Sequence, residues 1–127
     1  MKFLILKHKK GHWSFAKGHR DEGESKIETA RRELHEEAGV DDVEFLSTKI
    51  LLKETYFFLN KKNIRVKKSV EYFIATLKSG SVKVDEKEIT NYSWCTQAAA
   101  MKLITYNESR QTLIKANKLI SKKSLQK

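Results

Sequence analysis

Apolar residues recur along the chain in two periods, one of strands and one of helices. Lys2 to Lys7 alternates around the apolar centre Phe3 to Leu6, Trp13 to Ala16 forms a second short run, and His8 to His12 reads as the turn between two strands. Gly18 to Gly23 is a polar loop. Ser25 with Glu28 three residues later has the pattern of a capping box, Ile27, Ala30, Leu34 and Ala38 follow helical spacing, and Gly39 is a natural stop. These features predict a helix from about Lys26 to Ala38. Val43 to Leu59 and Ile64 to Leu77 are rich in β-branched and aromatic residues, and Asn60 to Asn63 suits the turn that would pair them. Val82 to Val84 predicts a short strand, Asp85 to Asn91 a loop, and Tyr92 to Cys95 another strand ahead of the alanine run Ala98 to Ala100. Leu113, Ala116, Leu119 and Ile120 place an amphipathic helix over Arg110 to Ile120, which leaves Ser121 to Lys127 as a solvated tail. Strands around an early helix, then strands and a late helix, predict an α/β sandwich on a mixed sheet. At 127 residues it is expected to be one domain, 1–127.

Composition narrows the class. With 39% hydrophobic residues the chain can build a core, which argues against a wholly disordered protein. A lone cysteine, Cys95, excludes an internal disulfide framework and a cysteine-pair zinc site, and makes a reducing, cytoplasmic setting the simpler expectation. Phe3 to Leu6 is too short for a signal-peptide core, and no uncharged stretch is long enough to span a membrane.

The net charge of +10 favours a polyanionic partner such as a nucleotide, nucleic acid or polyphosphate. The charge is unevenly spread. Ten of the sixteen acids lie between Asp21 and Glu44, whereas seventeen Lys or Arg follow from Phe45 onward. A divalent cation holding a phosphate needs such an acidic cluster inside a basic protein. On charge alone, a solvated acidic helix face is the better reading of the cluster.

The segment Gly18 to Val40, GHRDEGESKIETARRELHEEAGV, decides between them. It resembles the signature of the Nudix hydrolases, and Gly18, Glu24, Arg32, Glu33, Leu34, Glu36, Glu37, Gly39 and Val40 fill all nine defined positions. At ordinary residue frequencies a chance match at one starting point is on the order of 10⁻⁹. The geometry is coherent without the family: Glu33, Glu36 and Glu37 stand at i, i+3 and i+4, so three like charges crowd one side of a helix. A cation offsets that repulsion, and hard oxygen donors suit Mg²⁺ or Mn²⁺ rather than zinc. The resemblance implies an α/β/α sandwich and a metal-dependent hydrolase. It implies metal ligation by Glu36 and Glu37, with Glu33 as ligand or base. It further implies that Arg32 orients the catalytic glutamate, and that Glu24 and the backbone of Gly18 complete the loop and metal environment.

Looser matches flank the box. Trp13 to His19, WSFAKGH, is similar to the W-x-x-P-K-G-H segment of diadenosine polyphosphate hydrolases and their diphosphoinositol polyphosphate relatives, with Ala16 in place of proline. The resemblance implies phosphate contact by Lys17, whose alternative is a solvated surface lysine; Trp13 is expected to pack in its strand. Lys68 to Ala75, KSVEYFIA, is similar to a strand of asymmetric diadenosine tetraphosphate hydrolases. That likeness implies phosphate contact by Lys68 and adenine stacking by Tyr72, against a plain core aromatic. By the same likeness Glu88, six residues before Trp94, approaches the metals and assists as base, and Tyr106 is a second stacking residue. His8, His12, His19 and His35 form no metal-ligand pattern and are expected to be exposed. The resemblance implies a further strand ahead of the equivalent of Phe3 to Leu6; a sheet edge left uncovered there would predict association or reduced stability, and a monomer or a weak homodimer is expected. The resemblance makes a dinucleoside polyphosphate such as diadenosine tetraphosphate, cleaved to ATP and AMP, the expected substrate; a triphosphorylated or capped RNA 5′ end and a diphosphoinositol polyphosphate are the alternatives that also fit the charge. A non-catalytic nucleotide sensor on the same scaffold should have lost box carboxylates, and none is lost.

Overall fold

The apolar run Phe3 to Leu6 becomes β1 (Phe3–His8), the middle strand of three in the order β2 (Trp13–Ser14), β1, β7 (Ile89–Cys95). The computed structural model describes the backbone of residues 1–125 and the side chains of residues 1–123. Because β1 lies between two layers, both its faces are apolar. Ile5 packs with Cys95, Ala100, Ile104 and Leu113 beneath α2 (Gln97–Leu103) and α3 (Asn107–Leu125). Leu6 points the other way, into Ala38, Val40, Val82 and Ile89 at the end of α1 (Lys26–Ala38). Helices thus cover the sheet on both sides, the expected α/β/α sandwich. Fully burying Ile5 and Leu6 contributes about 1.5–3 kcal/mol each.

α1 forms where its caps require. The Ser25 hydroxyl accepts from the Glu28 N–H and the Glu28 carboxylate accepts from the Ser25 N–H, so two orphan donors are satisfied together. Gly39 ends the helix at φ 65°, its N–H donating to the His35 carbonyl. A Cβ there would press on the Lys83 carbonyl, so both conformation and space require glycine.

The two long strand-rich segments each divide. Val43 to Leu59 contains β3 (Val43–Phe45) and β4 (Leu52–Leu59), and Ile64 to Leu77 contains β5 (Arg65–Tyr72) and β6 (Ala75–Leu77). β4 and β5 form the expected hairpin. At its turn the Asn60 side chain accepts from the Lys62 and Ile64 N–H groups, and Asn63 takes φ 61°. β3 pairs instead with β6.

Several expectations are corrected. Every strand pairing among the described residues is antiparallel, not mixed. A parallel pair needs two strands joined by a crossover within one sheet, and the strands flanking α1, β2 and β3, belong to different sheets. Val82 to Val84 forms no ladder: the Lys83 N–H donates to the Ala38 carbonyl, so the segment caps the end of α1. β7 starts at Ile89, three residues before the expected Tyr92, opposite a bulge between Lys7 and His8. α3 begins at Asn107 and continues to Leu125, so most of the stretch expected as a tail is helical, with residues 121–123 exposed; Gln126 and Lys127 lie outside the described residues.

Candidate active site

Arg32 organises the acidic face of α1. Its Nε donates to Glu24 Oε2 at 2.8 Å and its Nη2 to Glu24 Oε1 at 3.1 Å, a bidentate fork. Nη2 also donates to the His19 carbonyl at 2.7 Å, and Nη1 donates to Glu33 at 2.9 Å and Glu36 at 3.1 Å. This holds the guanidinium firmly protonated, chiefly through Glu24. The Glu24 carboxyl is lowered to about 2, first by Arg32 and then by the Asp21 N–H. Thr29 Oγ1 donates to Glu24 as well. Glu24 therefore ties the loop to the helix.

Glu37 is the unusual group. It is 1% exposed on the inner side of α1, where its Oε1 accepts from the Lys17 N–H at 3.1 Å. Burial pushes its carboxyl up to about 8; the Lys17 N–H opposes this, and the Glu33 and Glu88 carboxylates reinforce it. Glu33 is also raised, first by burial, against the pull of Arg32 and with the help of Glu36 and Glu88. Glu88 reaches this group from the turn before β7, which the Asp85 carboxylate holds by accepting from the N–H groups of Lys87, Glu88 and Ile89. Gly18 is the close-approach residue: a Cβ there would collide with the Glu33 carboxylate.

Among the described residues no three carboxylate or imidazole groups are arranged as a ready metal cage. The cause is visible in the hydrogen bonds, since Arg32 lies between Glu33 and Glu36. The donor chemistry nevertheless fits a hard divalent cation. Glu33 and Glu88 raise the proton affinity of Glu37, and Glu36 and Glu88 that of Glu33, which a cation would reverse, and Glu36 is exposed enough to turn.

The other candidates are distributed around this centre. Lys17 places its Nζ 6.0 Å from the Tyr56 ring centroid, and Tyr56 stands opposite Lys68 in the hairpin register. Tyr72 is 8% exposed, its ring edge-on to Phe15 at 5.4 Å, and its buried hydroxyl has no hydrogen-bond partner among the described residues. Burial raises that hydroxyl's pKa, with Glu54 the next cause. Tyr72 thus sits as a core aromatic beside the site rather than an open platform. Tyr106 is 52% exposed and tilted against His12, with ring centroids 5.6 Å apart.

Sequence reasoning missed the histidines. His8 and His12 stack at 4.5 Å across the turn that Gly11 makes at φ 103°, continuing the Tyr106 row. His8 is half-buried and donates from Nε2 to the Phe15 carbonyl, and burial lowers its pKa to about 4, with His12 next; His12 is lowered too, first by burial. The signal was their four-residue spacing across a hairpin turn, which brings the two rings together.

A family model of the NUDIX domain matches residues 2–116. The asymmetrical bis(5′-nucleosyl)-tetraphosphatase of Rattus norvegicus is 32% identical over 116 residues, covering 89% of this chain and 76% of that protein. The Caenorhabditis elegans protein of the same name is 33% identical over 117 residues, covering 91% and 82%. The crystal structure of a C. elegans Ap4A hydrolase binary complex superposes with a TM-score of 0.77 at 30% identity, over 94% of this chain and 86% of that one. The chain belongs to the Nudix family. It is a Nudix pyrophosphohydrolase, from a family whose members generally use divalent metals. No described helix is long and apolar enough to cross a membrane.

Proposed function

We propose that the protein hydrolyses dinucleoside polyphosphates, with diadenosine tetraphosphate cleaved asymmetrically to ATP and AMP in the presence of Mg²⁺ or Mn²⁺. The observation that carries this reading is the buried Glu37 carboxyl, raised to about 8 beside Glu33 and Glu88, in a chain whose relatives above bear the tetraphosphatase name. Glu33, Glu36 and Glu37 would hold the cation, with the Gly18 backbone against Glu33. When bound, the cation supplies charge neutralisation for the bridging and non-bridging phosphate oxygens.

The chain's own residues do the rest. A carboxylate, Glu33 or Glu88, takes a proton from the water that attacks phosphorus, and Arg32 keeps Glu33 in position. The P–O bond to the leaving phosphate breaks as the new P–O bond forms. Lys17 and Lys68 hold phosphate oxygens, and the exposed ring of Tyr106, extended by His12, offers a face to a base. Neutral imidazole suits that contact, which the lowered pKa of His12 supports.

The test is incubation with Mg²⁺ and diadenosine tetraphosphate, followed by ion-exchange chromatography, with triphosphorylated RNA in parallel. Equal ATP and AMP is the expected result. ADP as the sole product contradicts asymmetric cleavage, and pyrophosphate release from RNA without nucleotide turnover moves the function to RNA 5′ ends.

A further inference from the structure

The outer half of the β4–β5 hairpin carries apolar and cationic side chains that the core does not use. Phe57, Phe58, Leu59 and Ile64 are 43–63% exposed. The sequence between Glu54 and Glu71 holds five cations, Lys61, Lys62, Arg65, Lys67 and Lys68, and no carboxylate. Among the described residues none of the five forms an ion pair. The hairpin is anchored at its base, where Leu52 and Tyr72 are buried and Thr112 of α3 donates to Glu54. An exposed apolar surface of this kind marks a contact with something else.

Charge and arrangement select the occupant. A second copy of a +10 chain would bring like charges together. A lipid surface would have to be entered tip first, yet the tip is Asn60, Lys61, Lys62 and Asn63, with the apolar residues behind it. On one face Phe57 stands opposite Lys67 and Leu59 opposite Arg65, and the Arg65 guanidinium lies 4.2 Å from the Phe57 centroid. Two cations beside an aromatic ring and an apolar side chain suit a ligand that presents both phosphates and base faces. We infer that the β4–β5 hairpin binds single-stranded nucleic acid. The opposite hairpin face, through Tyr56 and Lys68, leads to Lys17. The inference holds whichever phosphoanhydride the active site cleaves.

The test is fluorescence anisotropy of the full chain with a fluorescein-labelled oligouridylate across a salt series, alongside a diadenosine tetraphosphate turnover assay that reports on the active site separately. Lys61→Glu/Arg65→Glu/Lys67→Glu should weaken binding at least about ten-fold and flatten the salt slope by about 2. Phe57→Ala should weaken it about five-fold with the slope unchanged. A triple reversal on α3, Lys115→Glu/Lys118→Glu/Lys122→Glu, alters net charge equally and should cost less than about three-fold. Wild-type protein that does not bind the oligonucleotide overturns the inference, as does an α3 variant that loses as much as the hairpin variant. It is equally overturned if Phe57→Ala abolishes binding to phosphatidylserine vesicles while leaving the oligonucleotide bound.

Discussion

Replacing Glu37 by Gln separates the chemistry of this carboxyl from its place in the fold. The amide oxygen can still accept the Lys17 N–H, so packing is retained. What disappears is a charge that the site disfavours. The folded protein holds the Glu37 proton up to about pH 8, against an ordinary value of 4.5. The folded state therefore binds this proton more tightly than the unfolded state. Its stabilising contribution is complete below pH 4.5 and is lost as pH rises towards 8, at about 1.4 kcal/mol per pH unit. Between pH 6 and 8, metal-free wild-type protein should lose about 2 kcal/mol relative to Glu37→Gln. Urea unfolding of both proteins in EDTA measures this directly, because titrations common to both, such as that of His8, cancel in the difference. Mg²⁺ should then stabilise wild-type protein at pH 8 and the variant much less, while the variant's turnover falls by about two orders of magnitude. Stability curves that run parallel with pH would exclude a raised Glu37 proton affinity, and full turnover in the variant would exclude a catalytic need for its charge.

Three further outcomes follow from the site. Gly18→Ala must displace the flexible Glu33 carboxylate rather than backbone, so stability should change by less than about 1 kcal/mol while kcat drops about ten-fold or more; thermal melting and steady-state kinetics check both. Arg32→Lys loses the fork that joins Glu24, Glu33 and Glu36, and should lower kcat about ten-fold with little change in far-UV circular dichroism; unchanged kcat removes the positioning role. Tyr106→Ala should raise KM for the dinucleotide about five-fold or more with kcat nearly constant, and an unmoved KM excludes base stacking there.

The parts legible in the sequence are those specified locally. The capping box, the helical spacing and Gly39 bound α1 to the residue, and with α1 come the three carboxylates of the box. The hairpin turn at Asn60 to Asn63 was legible for the same reason, since the Asn60 side chain makes the turn's own bonds. Strand limits were less legible because they depend on partners distant in sequence. Leu46 donates to the Ile74 carbonyl and Lys78 to that of Asp42, which draws β3 and β6 into their own pair and interrupts both long segments. The burial of Tyr72 rests on Phe15, 57 positions away in the chain, and no local pattern reports it. The continuation of α3 past Ile120 follows from uninterrupted helix formers, Ser121 to Leu125 containing neither glycine nor proline.

Hydrolysis of a phosphoanhydride on the acidic face of α1, as proposed, requires a bound divalent cation. Titrating Mg²⁺ into EDTA-treated protein while following diadenosine tetraphosphate turnover tests it most directly. No turnover is expected without metal, with a saturable rise on its addition and a midpoint shifted to higher Mg²⁺ by Glu36→Gln. Turnover that persists in EDTA, or a midpoint indifferent to Glu36, would contradict it.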